Sequence, residues 1–355
     1  MNRIQRLIND LPDIYDAALI TTVTNREYMT RFLSSDGALL VFKNDAYFII
    51  DSRYYEAAKS TVQGAEVILQ GRLFEQIKEL CAKHDAHKVA VEREVSLAQY
   101  SSLEEAIPEI EFCTGKELSE LVHRYRAVKD KEEIELIRDA QKITDAAFLE
   151  ILNFIRPGVT EKQVAAELEY YMRRNGADGV AFETIVASGE NGSKPHAVPG
   201  ERKIKKGDLV TMDFGAKLNG YCSDMTRTVA VGNITQEQLK VYNTVLEAHL
   251  TSMKAAHAGC SSKGLDKIAR DIIYNAGYEG CFGHSLGHSL GLDIHEAPGC
   301  SPNSDYVLEE NTVMTIEPGI YIEGKMGVRI ENMILITKDG FENLTGSERA
   351  LITLN

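Results

Sequence analysis

Two aspartates flank a short turn in the segment LVTMDFGAKLNGYCSDMTRTVAV, which begins at residue 209. Asn219-Gly220 between two alternating apolar runs is typical of a two-residue type I′ hairpin turn. The register of that turn places Asp213 and Asp224 on one face as diagonal neighbours, within side-chain reach. Two carboxylates on one face repel each other unless a cation lies between them. The segment therefore favours a metal site, and a solvated polar face is the alternative.

Three histidines fall within twelve residues of the segment FGHSLGHSLGLDIHEAP, which begins at residue 282. His284 and His288 are four residues apart, but the glycines at 283, 287 and 291 argue against a helix, because each costs about 1 kcal/mol there. The segment is therefore predicted to be extended or looped, with a backbone that can approach a neighbour closely. The cluster, which His295 completes, favours a functional site over a set of structural histidines.

Two glutamates lie in the otherwise apolar segment TVMTIEPGIYIEGKMGVRIENMILIT, which begins at residue 312 and is predicted to form strand, turn and strand. Ionised carboxylates are rarely buried without a partner. A three-residue loop at Gly324–Met326 would place Glu317 and Glu331 on one face, together with Arg329 and Met333. A two-residue loop would place the glutamates on opposite faces, so their relation stays open. An ion pair between Arg329 and Glu331 is the structural alternative.

Together these segments supply two aspartates, two glutamates and a histidine. Such a set can hold two divalent cations about 3.5–4 Å apart, with bridging carboxylates. Oxygen-rich ligation with one imidazole suits Mn²⁺, and Co²⁺, Fe²⁺ and Zn²⁺ are the alternatives. A metal pair lowers the pKa of a shared water, so that hydroxide exists at neutral pH, and it polarises a carbonyl. The predicted chemistry is hydrolysis of an amide or an ester.

The surrounding elements are predicted to form two similar halves. GVTEKQVAAELEYYMRRNGADG, from Gly158, and GCSSKGLDKIARDIIYNAGYEG, from Gly259, are offset by 101 residues. Each has a glycine, a hydroxyl helix cap, an amphipathic helix and glycine stops, and Thr160 with Gln163 is typical of a capping box. Chance similarity of two glycine-ended helices is the alternative. A true repeat implies two α/β halves that meet at a cleft, where ligands tend to bind.

A long helix is predicted before the first half. Asp130 with Glu133 resembles a capping box, apolar residues from Ile134 to Phe154 recur at spacings of three and four, and Pro157-Gly158 ends the helix. Upstream, short apolar runs alternate with helical stretches, which predicts a small α/β domain without catalytic residues. The candidate strands are Ala38–Phe42, Ala46–Asp51, Glu66–Leu69, Lys88–Glu92 and Ile110–Cys113, and the candidate helices are Ser52–Lys59, Leu73–Lys83 and Leu97–Ala106. We place the domain boundary near residue 125, giving domains 1–125 and 126–355.

The composition is that of an ordinary soluble globular protein. Of 355 residues, 44% are hydrophobic and 26% are charged, which excludes wholesale disorder. The net charge of -14 argues against a nucleic-acid partner. No run reaches the roughly 18 apolar residues of a membrane span, and charges near the start argue against a signal peptide. The six scattered cysteines lack a C-x-x-C pair, so we expect reduced thiols and a cytoplasmic location.

The motifs around these residues resemble those of the pita-bread metallopeptidases, which include aminopeptidase P, prolidase and methionine aminopeptidase. The resemblance covers roughly residues 125–355, where MDFG, S-D-x-T-R, H-S-x-G-L-D-x-H-E, IEPG and R-x-E-N appear in order. It implies an α+β protein with a C-terminal pita-bread fold of two pseudo-repeated α/β halves. It also implies a smaller creatinase-type N-terminal α/β domain, whose own likeness is weaker and lies at the level of the fold.

The resemblance implies roles for individual residues. Asp213 and Asp224 would hold one metal ion. His288 and Glu317 would hold the other. Asp224 and Glu331 would bridge the two ions. Glu317 would also act as general base and proton shuttle.

The same resemblance implies a substrate side of the site. His196, in SKPHAVPG, matches the substrate-side histidine of the family, and His295 matches the histidine that contacts the scissile amide. Both would stabilise the developing oxyanion and the substrate amide. His284 and Arg329 match positions of aminopeptidase P and prolidase.

The implied function is an Xaa-Pro aminopeptidase that acts on small peptides as a homodimer. An Xaa-Pro dipeptidase is the nearest alternative, and it needs a basic group for the proline carboxylate, for which Arg329 is a candidate. Further alternatives are a methionine aminopeptidase, a creatinase, which works without metal, and a non-enzymatic pita-bread binding protein. All five ligand positions are filled by ligand types, which disfavours the last two.

Overall fold

In the computed structural model, which describes residues 2–355, a six-stranded sheet organises the first of two units, Met1–Arg126. The strands are β1 (Ala17–Ile20), β2 (Ala38–Phe42), β3 (Ala46–Ile50), β4 (Glu66–Leu69), β5 (Lys88–Val91) and β6 (Glu111–Cys113). The helices are α1 (Arg3–Asp10), α2 (Val23–Thr30), α3 (Tyr55–Thr61), α4 (Leu73–Lys83), α5 (Leu97–Ala106) and α6 (Lys116–Ala127). The strand order is β4-β3-β2-β1-β5-β6, and one face of the sheet packs with α4 and α5 into a buried core.

The predicted strands and helices of this unit are present, with differences at their ends. Helices α4 and α5 have the predicted bounds, but α3 begins at Tyr55 instead of Ser52. The side chain of Asp51 accepts a hydrogen bond from the backbone N–H of Arg53 at 2.8 Å, which holds a turn before the helix. The prediction omitted β1, α1, α2 and α6. The first three have only four to eight residues, too few to repeat a hydrophobic period more than about twice.

The second unit, Ala127–Asn355, contains the paired helices and the predicted hairpins. Its helices are α7 (Lys131–Ile151), α8 (Glu161–Arg174), α9 (Gln236–Ala255) and α10 (Ser262–Asn275), with a 3₁₀ helix at Gly189–Ser193. Its first strands are β7 (Gly179–Val180), β8 (Ile185–Ser188), β9 (Leu209–Phe214), β10 (Ala216–Leu218), β11 (Tyr221–Cys222) and β12 (Met225–Val231). The remaining strands are β13 (Gly287–Ser289), β14 (Glu296–Cys300), β15 (Val313–Ile316), β16 (Gly319–Ile322), β17 (Met326–Arg329), β18 (Asn332–Thr337), β19 (Gly340–Asn343) and β20 (Thr353–Leu354).

The predicted repeat is visible in the strand ladders of this unit. One sheet has the order β20-β12-β9-β8 and the other has the order β14-β13-β15-β18-β19, so β8-β9-β12 corresponds to β13-β15-β18. The helix caps Thr160 and Ser261 each form an isolated antiparallel bridge, with Lys203 and Val307 respectively. Each half has its own buried core, the first around α7 and α8 and the second around α9 and α10.

Helix α7 begins as predicted and ends earlier. The capping box of Asp130 and Glu133 is present, with both hydrogen bonds at 2.9 Å. Its predicted apolar face is buried as far as Ile151, where the helix ends. Phe154 was predicted on that face but is only half-buried, because the chain turns there with a hydrogen bond from its N–H to the carbonyl of Ile151. Among residues 2–355, no helix is long and apolar enough to cross a membrane.

Candidate metal centre and active site

Asp213 and Asp224 lie on the two arms of the first hairpin of the second unit. Strand β9 pairs antiparallel with β12, Asp213 lies opposite Thr226, and Asp224 directly precedes β12. Asn219 and Gly220 have φ angles of 49° and 84°, and a type I′ turn requires positive values at both positions. The predicted turn and register are therefore confirmed.

The second hairpin turns one residue earlier than predicted. Its loop has three residues, as one prediction required, but these are residues 323–325 and not Gly324–Met326. Met326 pairs with Ile322 and is buried in the core of the second half, where its apolar side chain gains more than it would in an exposed turn. The register is the same in β15–β18 and β16–β17, so continuing it places Glu317 opposite Glu331 on one face.

The five predicted metal ligands line one cavity, and three of them converge most closely. Asp224, His288 and Glu331 each offer one ligand atom within 4.8 Å of the others. Nε2 of His288 lies 3.6 Å from Oδ2 of Asp224 and 3.4 Å from Oε1 of Glu317. Asp213 completes the set of carboxylates from the β9 side. Residues separated by up to 118 positions in sequence therefore meet at one point.

This concentration of buried carboxylates has an electrostatic consequence. Burial, with repulsion from Glu331, raises the pKa values of Asp224 and Glu317 well above their usual range. Burial and the neighbouring Asp213 raise the pKa of Glu331 to about 8. Among residues 2–355, Oδ1 of Asp213, Oδ1 of Asp224 and Oε1 of Glu331 are buried without a hydrogen-bond partner. Buried acceptors without donors, together with one imidazole, fit a site for divalent cations.

The orientation of His288 suits a metal ligand. Its Nδ1–H donates to the carbonyl oxygen of Ser289 at 3.1 Å, which leaves the lone pair of Nε2 directed at Asp224 and Glu317. Burial, with the neighbouring His295, lowers the pKa of His288 to about 4, so the ring is neutral at neutral pH. A neutral imidazole with its second nitrogen fixed in this way is the form that binds metals.

Two buried threonines hold the glutamates. The hydroxyl of Thr226 donates to Oε2 of Glu331 at 2.7 Å, and the hydroxyl of Thr315 donates to Oε1 of Glu317 at 3.1 Å. Thr315 also accepts a hydrogen bond from the backbone N–H of His288 at 3.1 Å. These bonds fix the orientation of both carboxylates and leave Oε1 of Glu331 and Oε2 of Glu317 without a threonine donor.

Arg329 pairs with Asp213, so the proposed ion pair between Arg329 and Glu331 is wrong. Its Nη2 donates to Oδ2 of Asp213 at 2.5 Å, while Thr226 occupies the facing oxygen of Glu331. The other guanidinium nitrogens donate to the hydroxyl of Thr226 at 3.0 Å, the hydroxyl of Tyr321 at 2.8 Å and the carbonyl of Pro195 at 3.2 Å. Arg329 is only 3% exposed, so the side chain is fixed on every side.

His284 is held through a tyrosine that the sequence analysis missed. The hydroxyl of Tyr321 accepts from Arg329 and donates to Nε2 of His284 at 2.8 Å. Nδ1–H of His284 donates to the carbonyl of Ser285 at 2.8 Å, which matches the neutral ring. Burial, with the charge of Arg329, lowers the pKa of His284 to about 4. His284 thus stands in a fixed chain of hydrogen bonds that begins at the guanidinium.

The predicted substrate-side histidines face a cavity of about 450 Å³. His196 and His295 line this cavity and are exposed. The cavity also has an apolar wall, formed by Phe182, Ile185 and Ile294. A cavity with a few convergent polar groups and an apolar wall is the usual form of a small-molecule site.

The loop that carries His196 is anchored by a buried carboxylate. Glu161, the first residue of α8, is fully buried. It accepts hydrogen bonds from the backbone N–H and hydroxyl of Ser188, both at 2.7 Å, and from the N–H of Gly200 at 3.2 Å. Both ends of the loop are therefore tied to one side chain.

The same loop sits directly on strand β17. A Cβ atom on Gly327 would lie 1.8 Å from the carbonyl oxygen of Gly192, and one on Gly192 would lie 3.0 Å from the nitrogen of Gly327. The contact is therefore between two backbones, which no side chain can enter.

Tyr321, Thr226, Thr315 and Glu161 are the site residues that the sequence analysis missed. Tyr321 offered a signal, because a tyrosine in the apolar run GIYI needs a partner for its hydroxyl when buried. Glu161 offered none, because an acid in the first turn of a helix is expected from the helix dipole alone.

Most of the chain matches two families of known proteins. Residues 135–338 match metallopeptidase family M24, and residues 1–128 match the creatinase/prolidase N-terminal domain. The chain therefore belongs to the M24 metallopeptidases and carries the creatinase-type domain before the pita-bread domain. The predicted family, fold class and enzyme class are confirmed.

The relatives divide between two activities. The chain is 42% identical to the solved Xaa-Pro dipeptidase from Bacillus anthracis, over 99% of this chain and 98% of that one, with a TM-score of 0.95. It is 39% identical to the solved X-Pro aminopeptidase from Thermotoga maritima MSB8, over 99% and 100%, with a TM-score of 0.92. The Xaa-Pro dipeptidase of Pyrococcus furiosus is 40% identical over 89% of each chain. Both kinds of Xaa-Pro peptidase are thus close relatives.

Proposed function

We propose that this protein is an Xaa-Pro aminopeptidase, which removes the first residue from short peptides that have proline in second position. The names of the relatives support the substrate class. The choice of an aminopeptidase over a dipeptidase rests on Arg329, because its guanidinium is already hydrogen-bonded within the protein. Among the described residues that line the cavity, Arg329 is the one with a permanent positive charge, and all three of its guanidinium nitrogens are hydrogen-bonded within the protein. A dipeptidase needs such a group for the proline carboxylate.

Two divalent metal ions, with Mn²⁺ as the expected metal, belong to this proposal. The residues that would hold them are Asp213, Asp224, His288, Glu317 and Glu331. The orphaned oxygens of the carboxylates and the free lone pair of His288 Nε2 support this assignment. When bound, such ions lower the pKa of water and polarise the scissile carbonyl.

Glu317 is the proposed general base and proton shuttle. Hydrolysis adds the oxygen of water to the carbonyl carbon, breaks the bond to the proline nitrogen and delivers a proton to that nitrogen. A proline amide has no N–H, so the leaving nitrogen depends on this delivered proton. Glu317 lines the cavity with one oxygen held by Thr315, and this leaves the carboxylate in position to take the proton from water and pass it on.

The histidines and the apolar wall would bind the peptide. His196 and His295 present exposed imidazoles to the cavity, where they can donate hydrogen bonds to the carbonyl oxygen as negative charge develops on it. Phe182, Ile185 and Ile294 offer apolar contact to the first side chain and to the proline ring. His284, whose two ring nitrogens bond Tyr321 and Ser285, would pack its ring against the residue beyond the scissile bond.

Rates on Ala-Pro-Ala, Ala-Pro and Met-Ala-Ser, measured side by side in Mn²⁺, test the proposal. We expect Ala-Pro-Ala to be cleaved at the Ala-Pro bond, with much lower rates on the other two peptides. Cleavage of Ala-Pro alone would make the protein an Xaa-Pro dipeptidase, the alternative that the names of two close relatives favour. A clear preference for Met-Ala-Ser would refute proline specificity.

Metal analysis of protein purified without chelator tests the metal pair. We expect two ions per chain and loss of activity after chelation that Mn²⁺ restores. Less than one ion per chain without rescue by Mn²⁺ would favour a creatinase-like or non-enzymatic protein. The homodimer and the cytoplasmic location stay predictions, and light scattering would test the first.

A further inference from the structure

Lys129 is a buried ammonium that the proposed mechanism does not use. It lies two residues before α7 and is only 2% exposed. Its Nζ donates to the hydroxyl of Ser289 at 3.0 Å and to Oε2 of Glu296 at 3.2 Å. A buried ion pair contributes little net stability, because the loss of hydration offsets the attraction between the charges. What the pair holds in place is therefore more informative than its strength.

The two partners of Lys129 directly follow two site histidines. Ser289 follows His288, and Glu296 follows His295. Strands β13 and β14 pair irregularly here, because the register shifts between His288 and Ser289, which brings Ser289 opposite Glu296. Such a bulge changes the direction of neighbouring side chains. The rings of His288 and His295 lie 4.4 Å apart between centroids, and Lys129 bridges the pair of residues at the bulge.

The first half of the unit has a corresponding anchor of opposite charge. Ser188 precedes Ser289 by 101 residues, the offset of the sequence repeat, and Ser188 is hydrogen-bonded to the carboxylate of Glu161. Glu161 also holds the loop that carries His196. In each half, a buried charge therefore joins the serine that ends one strand to the segment that carries a cavity histidine.

We propose that Lys129 is a positioning residue for the active site. It fixes the bulge between β13 and β14, so that His288 directs Nε2 at the carboxylates and His295 faces the cavity. The roles of these two histidines rest on the proposed function. The position of their rings does not, which allows the inference to be tested on metal binding alone.

The informative variant is the double substitution Lys129→Met with Glu296→Gln. It removes both charges together, and the glutamine keeps an acceptor for the backbone N–H of Asp293, which donates to Glu296 at 3.1 Å. The single Lys129→Met would leave a buried carboxylate without its cation and is expected to lower the unfolding temperature. The matched control is Lys142→Met with Asp139→Asn, which removes an exposed pair on α7.

Mn²⁺ affinity by titration calorimetry and kcat with KM on Ala-Pro-Ala are the measurements. For the double variant we expect an unfolding temperature close to that of the wild type, a Kd for the weaker-bound Mn²⁺ raised by about 10-fold and kcat lowered by about 10- to 100-fold. The control should match the wild type in all three. Unchanged Mn²⁺ affinity and kcat would overturn the inference, and so would losses that a lower unfolding temperature fully explains. If the wild type cleaved no Xaa-Pro peptide while the double variant still bound Mn²⁺ more weakly, the proposed function would fail and the role of Lys129 would stand.

Discussion

The two halves of the second unit share one strand ladder but divide the chemistry unequally. In the first half, Asp213 lies opposite Thr226 across the hairpin, whereas in the second half Glu317 lies opposite Glu331. The second half also places His288 on its first strand, where the first half, at the repeat offset, has the buried Ala187. Each half thus supplies two carboxylates, but the second half adds the imidazole and the first half adds a hydroxyl that binds Glu331.

This difference shows which positions of a repeated fold are free to change. The cores of both halves are built from apolar strand residues and paired helices, and these features recur. The ligands lie at strand ends, where a side chain that faces the cavity can change without disturbing the core. A repeated fold can therefore provide an asymmetric site with little change to its packing.

The largest effect is expected when Asp224 is removed from the first half. Asp224→Ala should reduce kcat/KM on Ala-Pro-Ala to background and reduce the bound metal below two ions per chain, because this carboxylate is the proposed bridge. The chain should still fold, since the core residues are untouched, with a lower unfolding temperature because less metal stabilises the native state. A fully active Asp224→Ala protein would refute the two-metal assignment.

Glu317→Gln tests the proton transfer assigned to the second half. Glutamine keeps the shape of the side chain but cannot accept the proton, so we expect kcat to fall by about 1,000-fold, within the range of general acid–base catalysis. The measurement is kcat beside metal content, because Glu317 is also a proposed ligand. Full activity with both ions bound would show that another group acts as the base.

Two threonine variants distinguish a residue that supports the site ligands from one that contributes only to stability. Thr315 and Thr211 each lie two residues before an acidic ligand, but Thr315 bonds Glu317 and His288 while Thr211 bonds the hydroxyl of Thr228 at 2.9 Å. Thr315→Val should lower kcat/KM by about 10- to 100-fold, as loss of a ligand's outer partner does. Thr211→Val is the control and should lower only the stability, by about 1–2 kcal/mol. Equal effects on activity would show that the halves do not differ at this position.

The smallest expected effect is on the pH dependence of stability, and it comes from a histidine in the core of the second half. His249 on α9 stands at the repeat offset from the buried Phe148 on α7, and burial, with Arg227 and Arg349, lowers the pKa of His249 to about 3. An unfolded histidine has a pKa near 6.5, so between these values the unfolded chain binds one more proton and acid destabilises the fold. From pH 7 to pH 5, wild type should lose about 2 kcal/mol more unfolding free energy than His249→Phe. Denaturant unfolding at both pH values measures this, and parallel losses would remove His249 as the cause.

Local patterns were sufficient to predict part of this molecule. Asn219-Gly220 determined both a turn and a register, and the cap at Asp130 determined the start of α7, because each depends on neighbours within a few residues. The motifs also selected the five candidate ligands, whose side chains the fold brings to one cavity. Whether they bind metal stays a prediction.

Contacts between distant segments could not be predicted from the same patterns. For Arg329 the sequence offered Glu331, two residues away, as an alternative partner, but Arg329 pairs with Asp213 on another hairpin. The position of the second turn depended on whether Met326 was buried, which the loop sequence alone does not contain. The spacing of residues along one strand predicts which of them can contact each other. It does not predict which other strand lies beside them.

The backbone contact between Gly192 and Gly327 constrains how this family member can evolve. Most packing contacts can drift, because a larger residue on one side is compensated by a smaller one on the other. Here neither partner has a side chain to exchange, and a Cβ on Gly327 would overlap the carbonyl of Gly192. No substitution at Gly192 removes this backbone overlap, so a library that randomises both positions together should return glycine at position 327. The contact therefore couples the position of the loop bearing His196 to the position of the strand bearing Arg329.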